Sequence, residues 1–427
     1  MPPTPRTRCS PARRALSSIA PTIDPIERRR AHATMLYRLS VSRESRRSTI
    51  PPFYVMDVWK AAAQRARSHG DVLVLAAGQP STPAPVPVLR ATKAAIDAEL
   101  LGYTETFGIL PLREAIAEHH RDTYGYPVDA DDVVVTTGSS GAFTLIFLAA
   151  FDVGDTVVVA RPGYPAYRNC LAALGCRVVE LDCGAETRFQ PTVAMLEALP
   201  QPPAGLVVAS PANPTGTMID PAELAAVARW CEAHGTLLIS DEIYHGITYA
   251  GASAGTSSAW ETSRESVVIG SVSKYFSMTG WRLGWMLAPS ALRPALQRLA
   301  SNMTVCPPAI SQYAALHAFG AEAKTELDGH VQRYATNRRL LLEGLPELGI
   351  TDLAPADGAF YAYADIGHLT DDSRKWCSEV LDHTGVALAP GVDFDTVSGH
   401  RKVRFSFAGA TADIEDALVR LRHYLCD

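Results

Sequence analysis

The chain has 427 residues, 47% of them apolar and 20% charged, with a formal net charge of −6. That length and apolar content can fill a large core spread over two or three domains, and they exclude a disordered chain, a collagen and a coiled coil. Residues 1–50 carry eleven Arg against Asp24, Glu27 and Glu44, a local charge of +8 that leaves −14 for the rest. A body that acidic is a poor neutraliser of phosphates, so nucleic acid is not expected as a partner.

The first 34 residues are rich in Arg and Ser and poor in acids. Such a stretch reads as a transit peptide, a disordered tail or an upstream start codon wrongly chosen; the last is favoured here, with Met35 as the start. Globular patterning begins at Pro51-Pro52-Phe53, and residues 35–85 are expected to join the smaller of two domains. Helical periodicity follows at 89–101 and 112–124. Apolar strand-like runs then recur at 132–136, 156–159, 177–181, 205–209, 236–240 and 266–270, separated by helical stretches. Continuous Val, Ile and Leu runs of this kind belong to a mostly parallel sheet covered by helices on both faces, here an α/β domain over 86–309. Beyond it, amphipathic helices to about residue 344, short strands at 358–363 and 402–407 and a helix over 412–425 predict a smaller α+β domain over 310–427.

The eight cysteines contain no C-x-x-C pair, so neither a metal site nor a disulfide scaffold is expected, and the reducing cytoplasm is the expected compartment. The most apolar stretch, 142–151, is about ten residues long, half of what a membrane span needs, and no membrane association is expected.

In open parallel sheets, functional groups sit just past the carboxyl ends of the strands. Thr137-Gly138-Ser139-Ser140-Gly141 follows the first run, and free N–H groups of such a turn suit an anion, although an ordinary N-cap has the same composition. Tyr164, in Arg161-Pro162-Gly163-Tyr164-Pro165, is placed either to stack on a planar ligand or simply to pack. Asn213 lies in Ser210-Pro211-Ala212-Asn213-Pro214-Thr215-Gly216, whose residue types turn chemistry explains equally well. Asp241 ends an apolar run, and a buried carboxylate needs a partner. The sixth run leads into Ser271-Val272-Ser273-Lys274, with Arg282 eight residues on. Its aromatic and apolar neighbours argue against a solvated lysine, and a shielded one has a lowered pKa and becomes a nucleophile able to form a Schiff base.

Asn213-Pro214-x-Gly216, Asp241-x-x-Tyr244, Ser271-x-Ser273-Lys274 and Arg282 are spaced 28, 33 and 8 residues apart. In that order the chain resembles the fold-type I, pyridoxal-phosphate-dependent class I and II aminotransferases, over residues 50–427. The resemblance implies pyridoxal 5′-phosphate held as a Schiff base by Lys274, which then acts as the base. It gives Asp241 the ring nitrogen, Tyr244 and Asn213 the phenolic oxygen, and Tyr164 the ring face. Gly138, Ser139, Ser140, Ser271 and Arg282 would hold the phosphate, with Ser273 a weaker candidate. Arg404 would grip the substrate carboxylate, with Gly78 and Asn213 beside it. Tyr103, in Gly102-Tyr103-x4-Gly108, matches a tyrosine that reaches the neighbouring subunit's phosphate, which implies a homodimer with shared active sites.

The expected activity is amino-group transfer between an amino acid and a 2-oxo acid. A carbon–sulfur β-lyase on the same residues is the alternative. A cofactor-sensing module needs about 60 residues of DNA-binding domain ahead of this one, more than the roughly 50 that precede it. Ser140 stands where some relatives carry Lys, which disfavours a strict aspartate enzyme.

Overall fold

After a two-residue strand β1 (Leu73–Val74), seven strands build the main sheet: β2 (Val133–Thr136), β3 (Thr156–Arg161), β4 (Arg177–Asp182), β5 (Gly205–Ala209), β6 (Leu237–Asp241), β7 (Val267–Ser271) and β8 (Gly284–Leu287). Their spatial order is β2-β8-β7-β6-β5-β3-β4. All run in one direction except β8, which pairs antiparallel with β2 and β7. β2 and β7 are buried along their whole length. Helices on both faces explain why these strands read as continuous apolar runs instead of alternating ones. The computed structural model describes residues 44–98, 100–252 and 254–426. The Arg-rich stretch 1–34 and the start expected at Met35 lie outside the described residues. Residues 44–49 belong to a unit distinct from Ile50–Asp427 and carry a turn of 3-10 helix at Arg46–Ser48.

One face of the sheet contributes Val133, Val158, Leu206, Leu238 and Val268 to a core shared with the helix Leu110–Tyr124; the other contributes Val134, Val157, Val207 and Ile239, packed on Gly138–Ala150. Ala314, Ala315, Ala318, Ala323 and Leu327 join the first core, and from Val331 onward the same helical run packs into a second core. The expected boundary at 309/310 is therefore bridged by packing.

The second core lies over an antiparallel sheet ordered β11-β12-β9, from β9 (Tyr361–Asp365), β11 (Ala389–Pro390) and β12 (Lys402–Ser406). β10 (Val386–Ala387) pairs in parallel with β1. Leu75 then accepts from the Ser406 N–H at 2.6 Å, which brings the segment around Gly78 beside the end of β12. Among the described residues no helix is long and apolar enough to cross a membrane.

Several elements differ from their expected form. The helix expected over 89–101 runs Val86–Ala98, because Pro87 is tolerated in a first turn where no N–H is needed. The run expected to be helical from 309 breaks into Ala309–Ala315, a 3-10 turn and Ala321–Glu347, with extended Gly320 as the second helix's N-cap. The strand expected at 358–363 is shifted to β9. β8 and the helices Tyr54–Ser68 and Ser373–Thr384 are additional.

Candidate active site

The carboxyl ends of β2, β3, β5, β6 and β7 open on one cavity of about 300 Å³, closed on its far side by β9 and β12. At the end of β2, Gly138 has φ +73°, and a Cβ there would lie 2.7 Å from Arg282 Nη2. Both the turn and the approach of the guanidinium thus require glycine. The helix Gly138–Ala150 has no side-chain cap at Thr137, so its first N–H groups remain open beside Ser139, Ser140, Ser273 and Arg282, all of which line the cavity. This end suits an anion. Ser271 does not line the cavity: its Oγ lies 2.9 Å from Ser273 Oγ and 3.2 Å from the Leu283 carbonyl oxygen, so Ser273, the weaker candidate, is the hydroxyl that faces inward.

Asp241 is the last residue of β6 and is buried. Its Oδ2 accepts from the Tyr167 hydroxyl, and its Oδ1 accepts from the Ile243 N–H at 3.2 Å. Burial pushes its carboxyl up to about 6, against the opposing pull of these two donors and of Lys274. Tyr164, N-cap of the helix Pro165–Leu174, lines the cavity and meets Tyr167 edge to face at 5.4 Å. Lys274 Nζ donates to the Gly78 carbonyl at 2.6 Å and lies 5.5 Å from the Tyr244 ring. Burial, with Arg404 as the next cause, brings this ammonium down to about 8. At pH 7 about one lysine in ten is then neutral, several hundred times the fraction at an ordinary pKa.

Arg404 lies on β12, 3% exposed. Nη1 donates to Asn213 Oδ1 at 2.8 Å and Nη2 to the Ala76 carbonyl at 2.7 Å, while the rings of Tyr361 and Phe394 lie 4.3 and 4.6 Å away. Nε has no hydrogen-bond partner among the described residues. The Asp393 carboxylate is near enough to be felt, but among the described residues no carboxylate bonds this buried cation directly, and its open Nε suits a further anion. Tyr244 pairs with Tyr361 through their hydroxyls at 2.7 Å, and Gly78 is forced by the same ring, since a Cβ there would fall 2.6 Å from the Tyr361 hydroxyl.

The cavity thus brings together Gly78, Ser139, Ser140, Tyr164, Asn213, Asp241, Tyr244, Ser273, Lys274, Arg282 and Arg404. Tyr103 stands apart, 87% exposed. Sequence reasoning missed Tyr167, Tyr361 and the wall formed by Phe53, Met56 and Trp59. Tyr361 falls in a run read as a strand, but which of its faces meets the cavity is set by pairing with β12. Among the described residues no group of His, Cys, Asp and Glu is placed to hold a metal.

The sequence profile described as aminotransferase class I and II matches residues 70–421. A valine–pyruvate aminotransferase of Mycobacterium tuberculosis is 57% identical over 383 residues, 90% of this chain and 98% of that protein. A crystal structure of an aminotransferase from Mycobacterium tuberculosis superposes with a TM-score of 0.89 at 57% identity, covering 90% of this chain and all of that one. The aspartate aminotransferase of Thermus thermophilus with maleate gives 0.84 at 31% identity, again over 90% of this chain and all of that one.

Proposed function

We propose how this chain, which belongs to the class I and II aminotransferases, divides its reaction among the residues above. It is a pyridoxal-phosphate-dependent transaminase that moves an amino group between an amino acid and a 2-oxo acid. When bound, the cofactor supplies an aldehyde that takes up the amino group and a ring that draws electrons from the substrate Cα. The donor set fits that group: the Gly138 turn with Ser139, Ser140, Ser273 and Arg282 would hold the phosphate, and Asp241 would keep a proton on the ring nitrogen. Tyr164 would cover the ring, while Tyr244 and Asn213 would serve its phenolic oxygen. Lys274 would hold the cofactor's aldehyde carbon and would move the proton at the substrate Cα; a pKa near 8 leaves it competent as a base.

The observation that carries this reading is Arg404, a buried guanidinium with an unpartnered Nε, in the same cavity as Asp241 and Lys274. It binds the α-carboxylate of amino acid and oxo acid alike. The charged residues among those lining the cavity are Asp241, Lys274, Arg282 and Arg404, each already assigned, so among the described residues no basic side chain of the lining remains for a second carboxylate. Phe53, Met56, Trp59, Phe143 and Ile243 face the substrate side chain instead. The donor is accordingly a small apolar amino acid, valine first among them, with pyruvate as acceptor, in keeping with the relative at 57% identity. The enzyme works as a homodimer in the cytoplasm, with Tyr103 of each subunit on the other's phosphate.

Assay of the purified protein against a panel of amino acids and 2-oxo acids tests the substrate class. Arg404→Lys tests the site: with bidentate binding lost, KM should rise roughly tenfold or more for valine and pyruvate alike, while reaction with an amine lacking the carboxylate changes little. Equal losses on all three would place Arg404 in structural support.

A further inference from the structure

The apolar wall of the cavity comes from the helix Tyr54–Ser68, and that helix has no cap of its own. Its N-cap is Phe53, whose side chain accepts nothing from the first free N–H groups. Asp393 serves instead from 339 residues away: Oδ1 accepts from the Tyr54 N–H at 2.8 Å, and Oδ2 accepts from the Val55 N–H at 2.7 Å. The carboxylate is 1% exposed. Both bonds are charge-assisted and form a two-point clamp on the first turn.

The short turn that bears Asp393 also touches the carboxylate-binding end of the site. Its neighbour Phe394 packs on the Arg404 guanidinium, and the Phe394 carbonyl accepts from the Gly163 N–H at 2.9 Å, one residue before Tyr164. Arg168 Nη2 donates to the Asp393 carbonyl at 2.6 Å. Phe53, Met56 and Trp59 recur every three residues along one side of the helix and line the cavity, and Val55 and Ala62 anchor the helix in the core that holds Phe394. Phe53 also meets Tyr164 edge to face at 6.0 Å. One turn therefore fixes the wall relative to Arg404, and that separation decides which side chain fits once the carboxylate is bound.

We propose that Asp393 is a positioning residue for substrate selectivity: by clamping the helix it holds the Phe53, Met56 and Trp59 wall at the distance from Arg404 that favours a branched aliphatic side chain over a methyl group. The inference rests on the reading of this cavity as the site of an apolar amino-acid donor.

The test uses holoenzyme and the half-reaction with valine and with alanine, followed in single turnovers by cofactor absorbance. Alongside it run spectral titrations with the unreactive acids 3-methylbutanoate and acetate, and hydrogen exchange over residues 53–60. The wild type should prefer valine by about tenfold or more, the discrimination an apolar pocket gives for added methyl groups. Asp393→Asn should erase most of that preference, roughly tenfold, through weaker valine binding with the saturated rate little changed. Affinity for 3-methylbutanoate should fall while that for acetate holds, and exchange over 53–60 should quicken. Asp393→Glu keeps the charge but displaces the clamp by one methylene; it should lower the same ratio, and it stands in if the Asn variant does not fold. Loss of valine and alanine reaction in equal measure, or an unchanged ratio with unchanged 3-methylbutanoate affinity, overturns the proposal. A wild-type enzyme that reacts with neither amino acid overturns the apolar-donor reading beneath it, a failure seen before any variant is compared.

Discussion

Asp241 keeps its charge at a cost to the fold. Its carboxyl titrates near 6 in the cofactor-free protein, against 3.8 for an ordinary one, with burial the first cause. Between those two values the native state holds a proton that the unfolded chain has lost, so stability falls as pH rises through that window. Above pH 6 the penalty is complete, at about 3 kcal/mol for a shift of this size. Asp241→Asn should therefore raise the melting temperature of the cofactor-free protein at pH 7, with the gain gone by pH 4. Turnover should drop by two or three orders of magnitude as the electrostatic stabiliser is lost. Calorimetry at both pH values checks this; a cofactor-free variant less stable than wild type at pH 7 would show the carboxylate to be a net stabiliser. Asp241 and Lys274 were legible in the sequence because each follows closely on a buried apolar run, where a charge needs a purpose, whereas Asn213 and Arg404 were singled out by the family resemblance. Tyr167 and Tyr361 were not, since their partners Asp241 and Tyr244 lie 74 and 117 residues away and only the fold joins them.

At the scale of elements, the turn between β2 and the helix Gly138–Ala150 concentrates two constraints on one residue. Alanine at 138 would have to adopt a left-handed backbone, worth roughly 1–2 kcal/mol, and would displace Arg282, whose Nη2 lies 2.7 Å from the new Cβ. Gly138→Ala should weaken cofactor retention about tenfold or more, whereas Ser139→Ala, which removes one hydroxyl and leaves the turn intact, should cost less. Equilibrium dialysis of the two variants decides it; equal retention in both would separate the turn from phosphate binding. The strands of the main sheet were legible to within one or two residues because burial on both faces writes them as unbroken apolar runs. β8 was not, as four residues starting at Gly284 are too few to display a period, and its antiparallel sense is set by the turn that carries Lys274 and Arg282. The Tyr54–Ser68 helix was also missed: its first turn is capped from residue 393, so no local start signal marks it.

For the molecule as a whole, the outstanding feature is a run of large apolar side chains that are exposed among the described residues. Leu100 is 97% and Tyr103 87% exposed, with Ile96, Leu101 and Leu110 also exposed along the same stretch, and Met303 and Val305 beside it, tied in where Thr104 N–H meets Cys306 Sγ at 3.5 Å. Exposed apolar residues gathered along one stretch suit an interaction surface, and a second copy of the chain is the occupant that a shared active site would require. Tyr103 would then donate to the phosphate of its partner's cofactor, a charge-assisted bond worth on the order of 1–3 kcal/mol, and Tyr103→Phe should loosen the cofactor accordingly. Mixing subunits separates this from a local effect. In a heterodimer of one Tyr103→Phe and one Lys274→Ala subunit, the site with intact Lys274 receives the intact Tyr103 from across the interface, while the other site collects both defects. Cofactor at the intact Lys274 should be retained as in wild type, measured by borohydride reduction and counting of labelled lysine. If that site instead releases cofactor as readily as the Tyr103→Phe homodimer, the hydroxyl acts within its own chain, and the exposed face has some use other than completing its neighbour's site.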